Sequence, residues 1–453
     1  MVEFKRLFRL SVILLAALAP LACLGDQESD KNIDTPSPLS RDSTTATPQE
    51  RIWNEIPDDW EPPFEKYLLN QFAKHQIPGA SMAVVRDGRV LYARNFGWAD
   101  VGNKTPVQSC SLFRVASLSK PLTATAIFRL SESGKLDLDA PVLPLLEDTD
   151  YFPQQNALSD ARLKDITVEL LLQHRAGWDR GISGDPMFES ARVAQAFRKR
   201  PPASQIDTIR YVLSKPLDFE PGERYCYSNF GYLLLGRIIE QVSGMDYETF
   251  VRDEILAPAG VTDMRIGHTL SQGKDPREVK YYDPGVGPSV FDPDSQTLVP
   301  EPYGVWNLEA MDAHGGWIAT ATDMAKYAST YYADAVGPPR SNALLNATVA
   351  RPSGAAGYDP QGAPTKAYYG LGWKILTDDQ HEWTHLTHLG SLPGSSTMLI
   401  CQRDGVCYAL LCNARKSPYT DHFCNSIFDD LVALVQETDW PTPAELPAST
   451  SPR

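Results

Sequence analysis

Strand-forming sequence is concentrated at the two ends of the chain, which calls for a sheet assembled from distant segments. Residues 80–94, ASMAVVRDGRVLYAR, read as two short strands around Asp87-Gly88, a dipeptide suited to a tight hairpin because both positions tolerate positive φ. Strand signals return in YGLGWKIL, SSTMLI and VCYALL, between Tyr369 and Asn413. One sheet shared by early and late strands is therefore expected. Phe423, Ile427, Leu431, Leu434 and Val435 then mark one face of a closing helix. Behind Ser117, the residues Leu122, Ala126 and Leu130 recur at helical spacing until Gly134 stops the run. From about Asp150 to Gly362, helix-like pieces such as Tyr232 to Val242 alternate with loops rich in Pro, Gly and Asp. The fold class is α+β: an antiparallel sheet flanked by helices, with an inserted, mainly helical subdomain at about 150–362.

The chain has 453 residues, 42% of them hydrophobic, which is ample for a large core and excludes a disordered or disulfide-only scaffold. Its 42 basic and 57 acidic residues give a formal charge of -15, so no nucleic-acid partner is expected, since that needs a positive field. Lys5, Arg6 and Arg9 precede an apolar run from about Leu10 to Ala22 that is short for a membrane span; residues 1–25 read as a signal peptide. Two processing routes stay open. Pro20-Leu21-Ala22-Cys23 partly resembles a bacterial lipobox, which would leave Cys23 as a lipid anchor, whereas cleavage after Gly25 would release a soluble exported protein. The expected location is periplasmic, membrane-anchored or secreted. Residues 26–55 form a polar tether, 56–440 the folded domain and 441–453 a Pro-rich tail. An oxidising compartment allows disulfides. Cys401 and Cys407 flank Arg403-Asp404-Gly405, a three-residue hairpin loop that would let the two thiols face each other; nothing fixes Cys110, Cys226, Cys412 and Cys424. No Cys-x-x-Cys pair is present, so a structural zinc site is not expected; no cofactor is expected either.

Ser117-Leu118-Ser119-Lys120 places a hydroxyl and an amine three apart, on one helix face with Cβ atoms roughly 5 to 6 Å apart. That suits a nucleophile and its base. The similar Ser271-Gln272-Gly273-Lys274 has no apolar helical run behind it to hold its side chains together. At a helix start, free N–H groups favour a developing oxyanion, and Pro121 is tolerated in a first turn. The difficulty is Lys120. A lysine in water titrates near pH 10.4, so about one amine in a few thousand is neutral at pH 7, and lowering that pKa by about three units takes roughly 4 kcal/mol of differential stabilisation. Tyr227-Ser228-Asn229, read as extended, would point the phenol and the carboxamide to one side, with Tyr227 relaying a proton and Asn229 holding Lys120 or the substrate. The alternative makes Tyr227 packing and Asn229 a helix cap. His388-Leu389-Gly390-Ser391 precedes the strand SSTMLI, and an edge strand with Gly near the substrate backbone would suit oxyanion binding through the N–H of Ser391. Taken alone, His388 reads as a loop histidine.

Together, in this order and spacing, these motifs resemble the serine β-lactamase and penicillin-binding-protein superfamily. Within it they resemble the class C β-lactamase-like and family VIII esterase-like hydrolases. The resemblance spans about Pro78 to Asn413 and includes three further landmarks: residues 166–177 (ITVELLLQHRAG), 315–324 (GGWIATATDM) and 369–373 (YGLGW). It implies a serine hydrolase that forms an acyl-enzyme on Ser117 and cleaves a small-molecule or peptide ester or amide. Lys120 would be the general base, Tyr227 the proton shuttle, Asn229 a positioning amide, and the N–H groups of Ser117 and Ser391 the oxyanion hole. His174 caps or packs in this reading. The third motif departs from the common Lys-Thr-Gly or Lys-Ser-Gly: His388 and Leu389 stand where cation and hydroxyl would bind a substrate carboxylate, which favours esterase or peptidase work over antibiotic hydrolysis. Two rivals compete. A silent binding protein could use the same fold. His381-Glu382-Trp383-Thr384-His385 matches a zinc hydrolase pattern, but that pattern needs a helix, and the local sequence favours strands.

Overall fold

Asp87 and Gly88 adopt φ of 51° and 72°, the left-handed pair a two-residue turn demands, and fold β1 (Gly79–Arg86) back onto β2 (Arg89–Asp100). The computed structural model describes residues 62–146, 159–332, 343–352, 364–417 and 420–440. The expected signal peptide, the tether with Cys23 and the Pro-rich tail lie outside the described residues. Six further strands complete the sheet: β3 (Thr105–Pro106), β4 (Ala367–Tyr369), β5 (Lys374–Thr377), β6 (Trp383–Leu392), β7 (Ser395–Gln402) and β8 (Cys407–Cys412). Their order is β3-β2-β1-β8-β7-β6-β5-β4, with all pairs antiparallel. The early hairpin thus joins the late strands through β1 and β8, from Ala80 opposite Cys412 to Val85 opposite Cys407.

Both faces of the central strands are covered, and the two-residue period decides which side chain goes where. Met82, Val84, Ile400 and Leu410 pack with Phe64, Leu68 and Phe72 of α1 (Pro63–His75) and with Leu431 and Val435 of α5 (Phe428–Gln436). Ala83, Val85, Leu399 and Leu411 point the other way, into a core shared with α2 (Ser119–Glu132), α3 (Asn229–Ser243) and α4 (Ala321–Ser329). This double burial explains why the late strands read as continuous apolar runs rather than as alternating ones.

Residues 150–362 contain α3, α4 and several shorter helices, but also strand pieces. Trp317–Ala319 pairs with Phe113–Arg114 and with Arg265–Ile266, and Val286–Pro288 pairs with Leu298–Pro300. α2 belongs to the same helical layer although it precedes residue 150, and it packs on α3 and on the short helix Asp312–Gly315. Cys401 and Cys407 sit directly opposite each other and form a disulfide across the β7–β8 hairpin, whose turn places Gly405 at a φ of 88°. The closing helix is interrupted at Ile427, between Phe423–Ser426 and α5.

Candidate active site

The segment leading to Ser117 is anchored on both sides. The Val115 N–H donates to the Trp317 carbonyl at 2.9 Å, and the Thr397 hydroxyl of β7 donates to the Val115 carbonyl at 2.9 Å. Ala116 is then held at a φ of 51°, a left-handed conformation costly for a residue with a Cβ. A single 3-10 turn, Ala116–Leu118, carries Ser117 and runs straight into α2, with the Ser119 hydroxyl donating to the Ala116 carbonyl at 2.7 Å. Gly390 of β6 makes this approach feasible: a Cβ there would lie 2.4 Å from the Val115 carbonyl oxygen and 2.1 Å from Thr397 Oγ1.

Lys120 follows in the first turn of α2 and is fully buried. Its Nζ lies 3.2 Å from Ser117 Oγ, 2.8 Å from Asn229 Oδ1 and 2.9 Å from the His314 carbonyl. Burial holds its pKa well below the ordinary lysine value; the Asp185 carboxylate opposes that shift and the Arg180 guanidinium adds to it. A neutral amine has two N–H groups and one lone pair. The amide and carbonyl oxygens can only accept, so they take the two N–H groups and leave the lone pair facing the Ser117 hydroxyl. Asn229 is oriented for this by its other end, where Nδ2 donates to Asp185 Oδ2 at 2.6 Å.

Tyr227 and Asn229 do reach Ser117 and Lys120, with Ser228 between them extended (φ -130°, ψ 117°) as the sequence suggests, but the extended segment ends there. Ser228 is the N-cap of α3, its hydroxyl accepting the Gly231 N–H at 3.2 Å, and Asn229 is the first helical residue. The cap role considered for Asn229 therefore falls to Ser228. The Tyr227 ring centre lies 4.7 Å from Lys120 Nζ, and burial pushes the phenol's pKa up while the neighbouring Ser117 hydroxyl opposes the shift. His174 packs against this ring at 4.3 Å, and its Nδ1 accepts the Ser228 N–H at 3.1 Å. Burial lowers its pKa well below the usual range, with Lys120 acting in the same direction.

His388 is not a loop histidine. It lies within β6, an inner strand of the sheet, and is only 5% exposed. Its Nδ1 meets the Leu389 carbonyl at 2.9 Å and must donate there, so Nε2 accepts the Tyr369 hydroxyl at 2.9 Å. Burial, with Lys120 adding to it, lowers its pKa to about 3, so the ring is neutral. The edge expected of this strand exists only in part: β5 covers β6 as far as Thr387 and leaves residues 388–392 open on that side. The Arg403 N–H donates to the Thr384 carbonyl, and the β6–β7 register runs unbroken from there to Ser391. Alternation along an antiparallel ladder then turns the Ser391 N–H away from β7, toward the open edge. Its hydroxyl meets His422 Nδ1 at 2.9 Å.

Three participants carry no expectation from the sequence. The His314 carbonyl immediately precedes the landmark Gly315-Gly316-Trp317, and Tyr369 opens Tyr369-Gly370-Leu371-Gly372-Trp373, so position within those motifs could have flagged both. Asp185 sits in a loop-rich stretch with no such marker. The residues of the zinc pattern are not on a helix: His385 is in β6, and His381 is in the preceding turn at a φ of 64°. Among the described residues, no three His, Cys, Asp or Glu side chains are grouped to hold a metal ion.

A hydroxyl, a buried amine and a phenol converging at the head of a helix, beside an open strand edge, define a serine hydrolase site. The chain belongs to the beta-lactamase family, whose sequence profile matches residues 64–425. It is 30% identical over 334 residues to penicillin-binding protein 4* of Bacillus subtilis (strain 168), an alignment covering 72% of this chain and 66% of that protein. To protein flp of Staphylococcus aureus (strain N315) it is 24% identical, over 76% of this chain and 61% of that one. The chain thus spans a little under two thirds of these relatives. Among solved structures it resembles the octameric penicillin-binding protein homologue from Pyrococcus abyssi, with a TM-score of 0.57 and 25% identity, over 80% of this chain and 76% of that one. The D-amino acid amidase from Ochrobactrum anthropi SV3 complexed with D-phenylalanine shares the fold, with a TM-score of 0.60 and 21% identity, over 81% and 97% of the two chains.

Proposed function

We propose that this protein is an exported hydrolase that cleaves a small ester, or an amide of a peptide-like substrate, through an acyl-enzyme on Ser117. The observation that carries the reading is the Lys120 amine, buried and bounded by two obligate acceptors, with Ser117 Oγ at 3.2 Å. Lys120 removes the hydroxyl proton as Ser117 Oγ bonds to the substrate carbonyl carbon. The carbonyl oxygen becomes an oxyanion stabilised by the N–H groups of Ser117 and Ser391. As the intermediate collapses, the Tyr227 hydroxyl gives its proton to the departing oxygen or nitrogen and recovers one from the Lys120 ammonium. A water then repeats the sequence in reverse on the acyl-enzyme, regenerating Ser117.

Export is supported by the basic residues and apolar run at the N-terminus. The amide option draws support from the relatives, one named a penicillin-binding protein and one structural neighbour a D-amino acid amidase. The neutral His388 in the third motif offers no cation to a substrate carboxylate, which favours esters and simple amides over β-lactams. The test is a panel of p-nitrophenyl esters, D-amino-acid amides and a β-lactam, run on the wild type and on Ser117→Ala. Turnover of at least one ester or amide, lost in the variant together with the acyl adduct on the peptide containing Ser117, is expected. Binding without turnover would point to a silent protein, and activity surviving Ser117→Ala would remove the nucleophile.

A further inference from the structure

Two thiols in the core take no part in the acylation chemistry. Cys412 ends β8 and Cys424 sits in the short helix Phe423–Ser426, and both are buried, at 0% and 1% exposed. The sheet register brings them together. Cys412 lies directly opposite Ser396 of β7, so the two side chains leave the sheet on one face, and there the Ser396 hydroxyl accepts the Cys424 N–H at 2.9 Å. The thiols neighbour each other within the apolar cluster formed with α1 and α5. The chain between them is already closed: the Phe423 N–H donates to the Arg415 carbonyl at 3.0 Å, and Phe423 packs on Phe72 of α1 with ring centres 5.8 Å apart. The other free cysteines are placed differently, Cys110 exposed and Cys226 beside Asp179 and Arg224. Among the described residues, no third His, Cys, Asp or Glu joins the pair to hold a metal ion.

A disulfide forms without backbone movement only where the two side chains already lie within reach. The shared contact with Ser396 supplies that reach. We propose that Cys412 and Cys424 are a modification site: they form a second disulfide, beside Cys401–Cys407, that ties the helix Phe423–Ser426 to β8. The oxidant is itself a disulfide, such as glutathione disulfide or an oxidised dithiol oxidoreductase. One thiolate attacks it to form a mixed disulfide, and the other thiolate displaces that group. The Cys412–Cys424 bond forms, and the oxidant leaves as two thiols that carry away the two electrons and the two protons. Burial, with the Cys424 thiol adding to it, holds the Cys412 thiol well above its usual pKa, so the exchange belongs to a stage at which the helix is not docked. The bridge also bears on the reaction. His422, whose Nδ1 meets the Ser391 hydroxyl at 2.9 Å, precedes Cys424 by two residues, so the bridge fixes the segment that rests on the open edge of β6. That consequence rests on the reading of Ser391 as an oxyanion donor; the bridge itself does not.

The test incubates the full chain with glutathione disulfide in urea below the unfolding midpoint, so that the helix can open. The chain is then denatured without reductant, alkylated with iodoacetamide and mapped by mass spectrometry. A linked pair of peptides containing Cys412 and Cys424 is expected, with Cys110 and Cys226 outside any internal link. The equally buried Cys401–Cys407 pair is the internal reference. Alkylation of Cys412 and Cys424 in chains that carry the Cys401–Cys407 link, or a link from either to another cysteine, overturns the inference. The consequence for the reaction is read in Cys424→Ser, which keeps the shape of the side chain and cannot form the bridge. Its rate of Ser117 labelling by a fluorophosphonate should fall about tenfold, with an unfolding curve to confirm the fold. Equal rates in the variant and in the linked wild type remove the tie to Ser391. A wild type whose Ser117 takes no label overturns the hydrolase reading and that tie, whereas the bridge stands or falls by the peptide map.

Discussion

The Lys120 amine lies 3.2 Å from the Ser117 hydroxyl and the Tyr227 phenol neighbours it, and either an amine or a phenolate would be able to take its proton. Their surroundings decide between them. Burial disfavours charge in both cases, and that acts in opposite directions: it lowers the pKa of Lys120 and raises that of Tyr227. Both shifts favour a neutral amine beside a neutral phenol, which supports the proposed roles of Lys120 as base and Tyr227 as relay. Lys120→Met keeps the length and apolar character of the side chain but removes the lone pair, and it should slow Ser117 acylation by about 10²–10⁴-fold. Stopped-flow labelling with a fluorophosphonate, alongside an unfolding curve to confirm the fold, measures this. Labelling that survives Lys120→Met would hand the role to the phenol.

At the scale of elements, the site is a meeting of three: the head of α2, the head of α3 and the open edge of β6. What the sequence discloses follows from how local each signal is. Asp87-Gly88 and Arg403-Asp404-Gly405 declare their hairpins because a turn needs particular residues at particular positions. Ser117 and Lys120 are readable because three-residue spacing places them together where a 3-10 turn runs into the apolar helix α2. His388 reads as loop because Gly390 and the following Pro393-Gly394 look like punctuation, whereas Gly390 is in fact the point where β6 meets the segment before Ser117. Asn229 reads as extended because the capping hydroxyl that starts α3 belongs to its neighbour Ser228. Asp185 acts through Asn229, a contact between distant segments that no spacing rule reports. Gly390→Ala tests the contact between elements. The added methyl would collide with the Val115 carbonyl and the Thr397 hydroxyl, so stability should fall by about 1–3 kcal/mol in a urea titration. The displacement should slow acylation by up to about 10²-fold. Unchanged stability and rate would mean that β6 does not set the position of Ser117.

At the scale of the whole molecule, the core that holds the site together also makes it sensitive to acid. His174, His314 and His388 are each kept neutral by burial, with folded pKa values below the ordinary 6.5 and, for His388, at about 3. Below pH 6.5 the unfolded chain binds protons that the folded chain does not, so stability falls as pH drops and His388 stops contributing to the fall near pH 3. For His388 alone the loss between pH 7 and pH 4 is about 3 kcal/mol. Urea midpoints for the wild type and His388→Gln at those two pH values should converge toward acid, and parallel curves would show that the ring is not buried neutral.

The same burial sets the pH at which Ser117 can react. The most direct measurement is the second-order rate of fluorophosphonate acylation of Ser117 across pH 5 to 11, followed by intact mass. A neutral Lys120 predicts a rate that reaches its plateau well below the usual lysine range. A rate that keeps climbing tenfold per pH unit to about pH 10, as an ordinary lysine would impose, would contradict the account.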